Sequence, residues 1–202
     1  MKIVIFTFKD APKERQKNVK SLKSELNKAI QDSGIDIEVC TFVGGNKTSE
    51  NLISLCSLYK DEDILMLEDD IELSEHFLEN VRKVIEQYPD RIINFHYNFD
   101  TKGPELYSDD SLKIFEERGS SYAFNQCVYL PSKILQEILD FKQLFKAYYA
   151  YAKENRHAYI MARIFEKNNE KFLVVKPSLV KHKEFKSTIS ESVIKTKDFI
   201  DY

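Results

Sequence analysis

The sequence predicts an α/β domain with a mostly parallel sheet and helices on its faces. Three observations predict it. Short apolar runs of strand length, rich in Val, Ile and Phe, alternate with longer stretches whose apolar residues recur every three or four positions. Gly and Pro punctuate the joins between them. The 202 residues hold no internal repeat, low-complexity stretch or linker, so one domain over 1–202 is expected.

The elements follow in order. Lys2–Phe8 is a continuous apolar run and reads as the first strand. Pro12 suits a helix start, and Val19, Leu22, Leu26 and Ile30 make one apolar face that Gly34 closes. Ile35–Val43 alternates as a second strand, turned by Gly44-Gly45-Asn46. Leu52, Ile53, Leu55, Cys56 and Leu58 read as a second helix, and Ile64–Leu67 as a third strand. Ser74 is placed to cap a third helix through Phe77, Val81, Val84 and Ile85 to Pro89. Arg91–Tyr97 is expected as a fourth strand. Asn98–Ser111, with Gly103-Pro104 and Asp109-Asp110, reads as a long polar loop. Ser121–Tyr129 is strand-like, and Pro131 opens a helix through Ile134, Leu135, Ile138 and Leu139. Phe141–Ala152 and Ala158–Phe165 read as helices, and Phe172–Val175 as the last strand.

Composition excludes several classes. At 43% hydrophobic and 31% charged residues the chain is expected to be soluble and globular rather than disordered. No apolar run approaches the roughly 20 residues of a membrane span. The apolar run at the N-terminus is followed by a charged, helix-like segment, which fits a first strand and not a signal peptide. Cys40, Cys56 and Cys127 show no CxxC spacing, an argument for a reducing, cytoplasmic setting and against zinc. A net charge of −3 supplies no general grip on nucleic-acid phosphates, although the stretch from Lys167 to Thr188 is locally basic.

The chemistry concentrates in "DEDILMLEDDIELSEHF", where a buried-looking strand delivers Glu68, Asp69 and Asp70 side by side. In extended backbone Glu68 and Asp70 would share one side and Asp69 the other. Two such oxygen ligands suit Mg²⁺ or Mn²⁺, with positions left for substrate phosphates. An acidic turn before the positive end of a helix is the alternative. The cluster lies at the carboxyl end of its strand, where open α/β sheets bind ligands. His182 lies in "KPSLVKHKEFKST", beside Lys183, Lys186, Ser187 and Thr188, a group able to neutralise and hydrogen-bond a diphosphate. His76, His96 and His157 lack such company and read as structural. There is no GxxxxGK[ST], no GxGxxG after Phe8 and no GxSxG; Asp10 follows the first strand without a DxD partner.

Together these pieces resemble the GT-A glycosyltransferases, which use a nucleotide-sugar donor and a divalent cation. "ILMLEDDIELSEHF" looks like their acidic motif, and "KPSLVKHKEFKST" like the late motif of small bacterial and viral members. "GSSYAFNQCVYLPSKILQEIL" is similar to the mid-chain segment that lines their sugar and acceptor pocket. The resemblance implies a single GT-A-like domain over 1–202, with a Rossmann-like, mostly parallel central sheet flanked by helices. Residues 1–97 would form the nucleotide-sugar-binding half, and 98–202 the acceptor side with the C-terminal metal-ligand motif. It implies Mn²⁺ or Mg²⁺ held by Asp70 and His182, with Glu68 near it directly or through water, and a nucleotide-sugar donor, a UDP-sugar first among them. Asp69 would hydrogen-bond the donor's ribose or sugar. Thr7, Phe8, Arg15 and Lys47 would hold the nucleotide, with Thr48 and Ser49 beside Lys47, and Lys183 and Lys186 would face the phosphates. The family's general base has candidates in Glu154, Asp109 and Asp110; a retaining mechanism needs none. The late motif departs from the family in carrying Lys183-Glu184-Phe185 where a glycine is common. The acceptor is left among a glycan, a lipid-linked sugar, a protein and a modified DNA base. A nucleotidyltransferase would share the carboxylate–metal logic but carry a Gly-rich loop after the first strand, which "TFKDAPKERQ" lacks. A catalytically silent nucleotide-binding or scaffold domain is the alternative from another class.

Overall fold

The computed structural model describes residues 1–45, 48–97, 99–122, 126–141 and 157–183. Ten strands and five helices are named here in chain order. They are β1 Lys2–Phe8, α1 Lys13–Ser33, β2 Glu38–Gly44, α2 Thr48–Tyr59, β3 Ile64–Glu68, β4 Ile71–Leu73, α3 Phe77–Gln87 and β5 Ile92–Asn94. Then come β6 Glu105–Ser108, β7 Lys113–Arg118, β8 Cys127–Leu130, α4 Ser132–Asp140, α5 His157–Lys167, β9 Lys171–Lys176 and β10 Val180–His182.

Eight strands form one sheet in the order β2-β1-β3-β8-β5-β9-β7-β6. β1, β2, β3, β5, β6 and β9 point one way, and β7 and β8 run against them. The sheet is therefore mixed with a parallel majority, as the alternation of elements requires. Strands of both halves of the chain enter it, because β8 inserts between β3 and β5. The chain steps from β1 out to β2 and returns to β3 on β1's other side, so strand order reverses at β1. β4 and β10 form a separate antiparallel pair.

Alternation within each strand gives the sheet two apolar faces. Val4, Phe6, Ile64, Met66, Val128 and Leu130 face the side of α2, α4 and α5. Ile3, Ile5, Leu65, Leu67, Ile93 and Tyr129 face the side of α1 and α3. Both faces of the central strands are buried, which is why they read as unbroken apolar runs. α1 begins after Pro12 and ends at Gly34, whose φ of 65° is the left-handed turn glycine allows.

Several expectations are corrected. The loop at 98–111 contains β6, which pairs with β7 as a hairpin. Its polar residues are those of an edge strand, and such a strand has no apolar run to announce it. The strand expected at Arg91–Tyr97 is only Ile92–Asn94, and that expected at Ser121–Tyr129 only Cys127–Leu130, preceded by a 3₁₀ turn over Gly119–Ser121. Leu58 is exposed, although it keeps the helical spacing of its neighbours. Ser74 does not cap α3: His76 precedes the helix with φ 54°, and the Ser74 hydroxyl is buried with no hydrogen-bond partner among the described residues. Phe141 ends the described part of the segment expected as a helix over Phe141–Ala152; residues 142–156 lie outside the description.

Candidate functional site

The carboxyl ends of the parallel strands converge at the point where strand order reverses. β1 ends in Thr7 and Phe8, β3 in Glu68, and Asp69 and Asp70 turn the chain into β4. Thr7 lies in the Ile3–Ile5 row and thus faces the α1 side, where its hydroxyl donates to Asp69 Oδ2 at 2.5 Å. Arg15, in the first turn of α1, reaches across to both carboxylates. Its Nη2 lies 2.6 Å from Asp69 Oδ1 and also bonds Asp70 Oδ2. Asn18, one turn on, donates to the carbonyls of Asp69 and Ile71 at 2.8 and 2.9 Å.

His182 arrives by strand register. β10 runs antiparallel to β4 with His182 opposite Ile71, so its ring meets the residue just before β4. His182 Nε2 lies 3.3 Å from Asp70 Oδ2. The Lys183 N–H donates to the Asp70 carbonyl at 2.7 Å, and Lys183 Nζ to Asn18 Oδ1 at 2.7 Å. Residues 112 positions apart (182 less 70) are thus fixed side by side. Both are buried, Asp70 to 5% exposure and His182 to 8%.

The strand ends at Glu68, and beyond it Arg15 gathers Asp69 with Asp70. Glu68 continues the row of Ile64 and Met66 toward the opposite face, where Tyr122 lies. Burial raises the Glu68 carboxyl above its ordinary value, Asp70 and Asp69 push the same way, and Arg15 opposes them. Burial likewise raises Asp69 against the pull of Arg15 and Thr7. Arg15 is no surface cation; at 4% exposure it is the internal counter-ion of the acidic pair.

Other expected residues fall elsewhere. Phe8 is half-buried at the rim, edge-on to Phe6 with centroids 5.3 Å apart. Asp109 anchors the β6–β7 turn, accepting from Lys83, Tyr107 and the N–H groups of Ser111 and Leu112. Asp110 is exposed in that turn, which lies four to five strand spacings from β3, roughly 20 Å away. Lys47, Glu154, Lys186, Ser187 and Thr188 lie outside the described residues, as do the side chains of Thr48 and Ser49. A cleft of about 950 Å³ between α1 and α3 is lined by neither Asp70 nor His182.

Sequence reasoning missed Asn18, His96 and Gln126. Arg15 and Asn18 sit seven and four positions before Leu22 on the buried stripe of α1, and polar residues at such positions are the available signal. His96 follows β5 at the same sheet edge, fully buried, with Nδ1 3.1 Å from Gln126 Oε1. Burial lowers its pKa to about 4; His182 pushes the same way, and Gln126 and Asp70 oppose.

The chain shares its fold with a solved structure, A197 from STIV. The match covers 100% of this chain and 97% of that one, with a TM-score of 0.50 and 14% sequence identity. The likeness is one of fold. No protein-family model matches the chain, and no curated protein matches it. No helix among the described residues is long and apolar enough to cross a membrane.

Proposed function

We propose that this chain is a GT-A-type glycosyltransferase that moves a hexosyl or other sugar from a nucleotide-sugar donor, a UDP-sugar first among them, to an acceptor hydroxyl. The observation that carries the reading is the Asp70–His182 pair, 3.3 Å apart at the carboxyl edge of the parallel strands. Two ligands at neighbouring corners of an octahedral ion stand about 3 Å apart, given bonds of about 2.1 Å. Asp70 Oδ1 is buried with no hydrogen-bond partner among the described residues, an acceptor left for a ligand. Among those residues no group of three or more His, Cys, Asp and Glu gathers as a metal cage. A Mg²⁺ or Mn²⁺ ion at Asp70 and His182 would take its remaining ligands from water and substrate phosphates. A cation held there would supply positive charge to the departing diphosphate.

The chain's own groups complete the reading. Asp69, fully buried with its carboxylate taken up by Thr7 and Arg15, fixes the turn rather than touching the donor. Lys183 stands at the rim as a cation for the phosphates. In the transfer, the acceptor oxygen bonds to the anomeric carbon as its bond to the diphosphate oxygen breaks, and the acceptor proton passes to a base or to the leaving group. Release of UDP from a panel of UDP-sugars, with Mn²⁺ and with His182→Ala as control, tests the reading. Cation-dependent release that falls at least 10²-fold in the variant supports it. Donor binding without release on any acceptor would favour a silent binding domain on the same fold.

A further inference from the structure

We propose that Arg15 couples cation entry to the arrival of the anionic donor, acting as a resident counter-ion that yields Asp70 only when a diphosphate is present. The inference rests on the donor site just described and adds a role for a residue on α1. Asp70 Oδ2 carries the Arg15 guanidinium on one side and His182 Nε2 at 3.3 Å on the other. Any cation taking Asp70 and His182 would therefore stand beside a fixed positive charge. That charge cannot be shed by deprotonation, because arginine keeps its proton in proteins. Nor does it swing away into water: Arg15 is buried, and its same Nη2 is tied to Asp69 Oδ1 at 2.6 Å. In such a setting like charges a few ångströms apart repel strongly enough to lower affinity tenfold or more.

A nucleoside diphosphate changes the balance. Its negative charges lie against both the incoming cation and the guanidinium, so the repulsion that keeps the bare ion weak is offset when ion and diphosphate arrive together. Asp69 holds Arg15 in place throughout, while Asp70 exchanges the guanidinium for the ion. A purely structural Arg15 predicts the reverse sign. Its removal would leave two buried carboxylates repelling each other, spoil the site and weaken cation binding.

The test is a titration of Mn²⁺ followed by the electron paramagnetic resonance signal of the free ion, with and without UDP. The proteins are wild type, Arg15→Met, Asp70→Asn, and the double variant Arg15→Met/Asp69→Asn. The double variant removes one buried cation with one buried carboxylate, so it keeps the interior balanced if Arg15→Met alone does not fold. Circular dichroism checks each fold. The expected result is weak binding of bare Mn²⁺ to wild type and binding at least tenfold tighter with UDP. Arg15→Met or the double variant should bind bare Mn²⁺ about tenfold tighter than wild type, with UDP adding much less. Unchanged or weaker bare-ion binding in the folded variants, while UDP still recruits Mn²⁺ to wild type, overturns this inference and leaves the donor site standing. No Mn²⁺ bound by any protein, with or without UDP, overturns both.

Discussion

Asp69 and Asp70 are adjacent in sequence but serve different partners. Asp69 turns inward to Thr7 and Arg15, whereas Asp70 keeps one oxygen for Arg15 and His182 and leaves the other open. The sequence pointed to Asp70 and His182 because an acidic triplet after an apolar strand and a histidine among lysines are conspicuous. It reached Arg15 only through the family resemblance and as a nucleotide contact, since one arginine in a helix with many lysines looks like surface until its place on the apolar stripe is noticed. His96 was hidden, because its burial follows from packing at the end of β5. That burial gives a pH dependence. The unfolded chain takes up a proton on this imidazole below about 6.5, while the folded protein resists until about 4. Stability is therefore complete above the higher value and is lost as pH falls through this window, by on the order of 3 kcal/mol at 1.36 kcal/mol per pH unit. Melting temperatures between pH 7 and 4 should fall more steeply for wild type than for His96→Gln. Glu68 is common to both proteins, so its own opposite dependence, a loss of stability as pH rises, cancels in the comparison. Equal slopes would place His96 outside this account.

At the scale of elements, the β4–β10 pair determines whether the site forms, and neither strand was legible in the sequence. Each has three residues, too few for a period, and each owes its pairing to the other rather than to the main sheet. The long strands and α1 were legible because they are buried on one or both faces over many residues. The dependence of the site on β10 is testable by comparing two disruptive substitutions. Leu179 is fully buried just before β10, and its N–H donates to the Phe95 carbonyl at 2.9 Å while its carbonyl accepts from Ser74. A Cβ at Gly103, beside the far hairpin, would stand 1.6 Å from the Glu116 carbonyl oxygen. Leu179→Ala and Gly103→Ala should each cost about 2–5 kcal/mol in urea unfolding. Only Leu179→Ala should also weaken stabilisation by Mn²⁺ and UDP, because only it loosens the strand that carries His182. An equal loss in both would mean that the site depends on overall stability and not on this strand pair.

For the whole molecule, the alternation of strands and helices predicted the sheet and its parallel majority, at whose carboxyl edge Asp70 and His182 meet. It could not place β8, whose antiparallel insertion between β3 and β5 reflects long-range pairing with no local signature. The same insertion brings Gln126 to the site edge, where its carbonyl accepts from the Glu68 N–H at 2.9 Å. The fold thus gathers β1, β3, β5, α1 and the β4–β10 pair around one buried carboxylate. The central claim is that this carboxylate, Asp70, binds a divalent ion together with a diphosphate. Thermal unfolding with UDP and Mn²⁺, separately and together, in wild type and Asp70→Asn, tests it most directly. At a hundredfold excess over the dissociation constant, binding adds about 2.7 kcal/mol, or roughly 5–10 °C for a domain of this size. The account predicts that rise for wild type only when both ligands are present, and none for Asp70→Asn. An equal rise in the variant, or no rise with any nucleoside diphosphate in wild type, would contradict it.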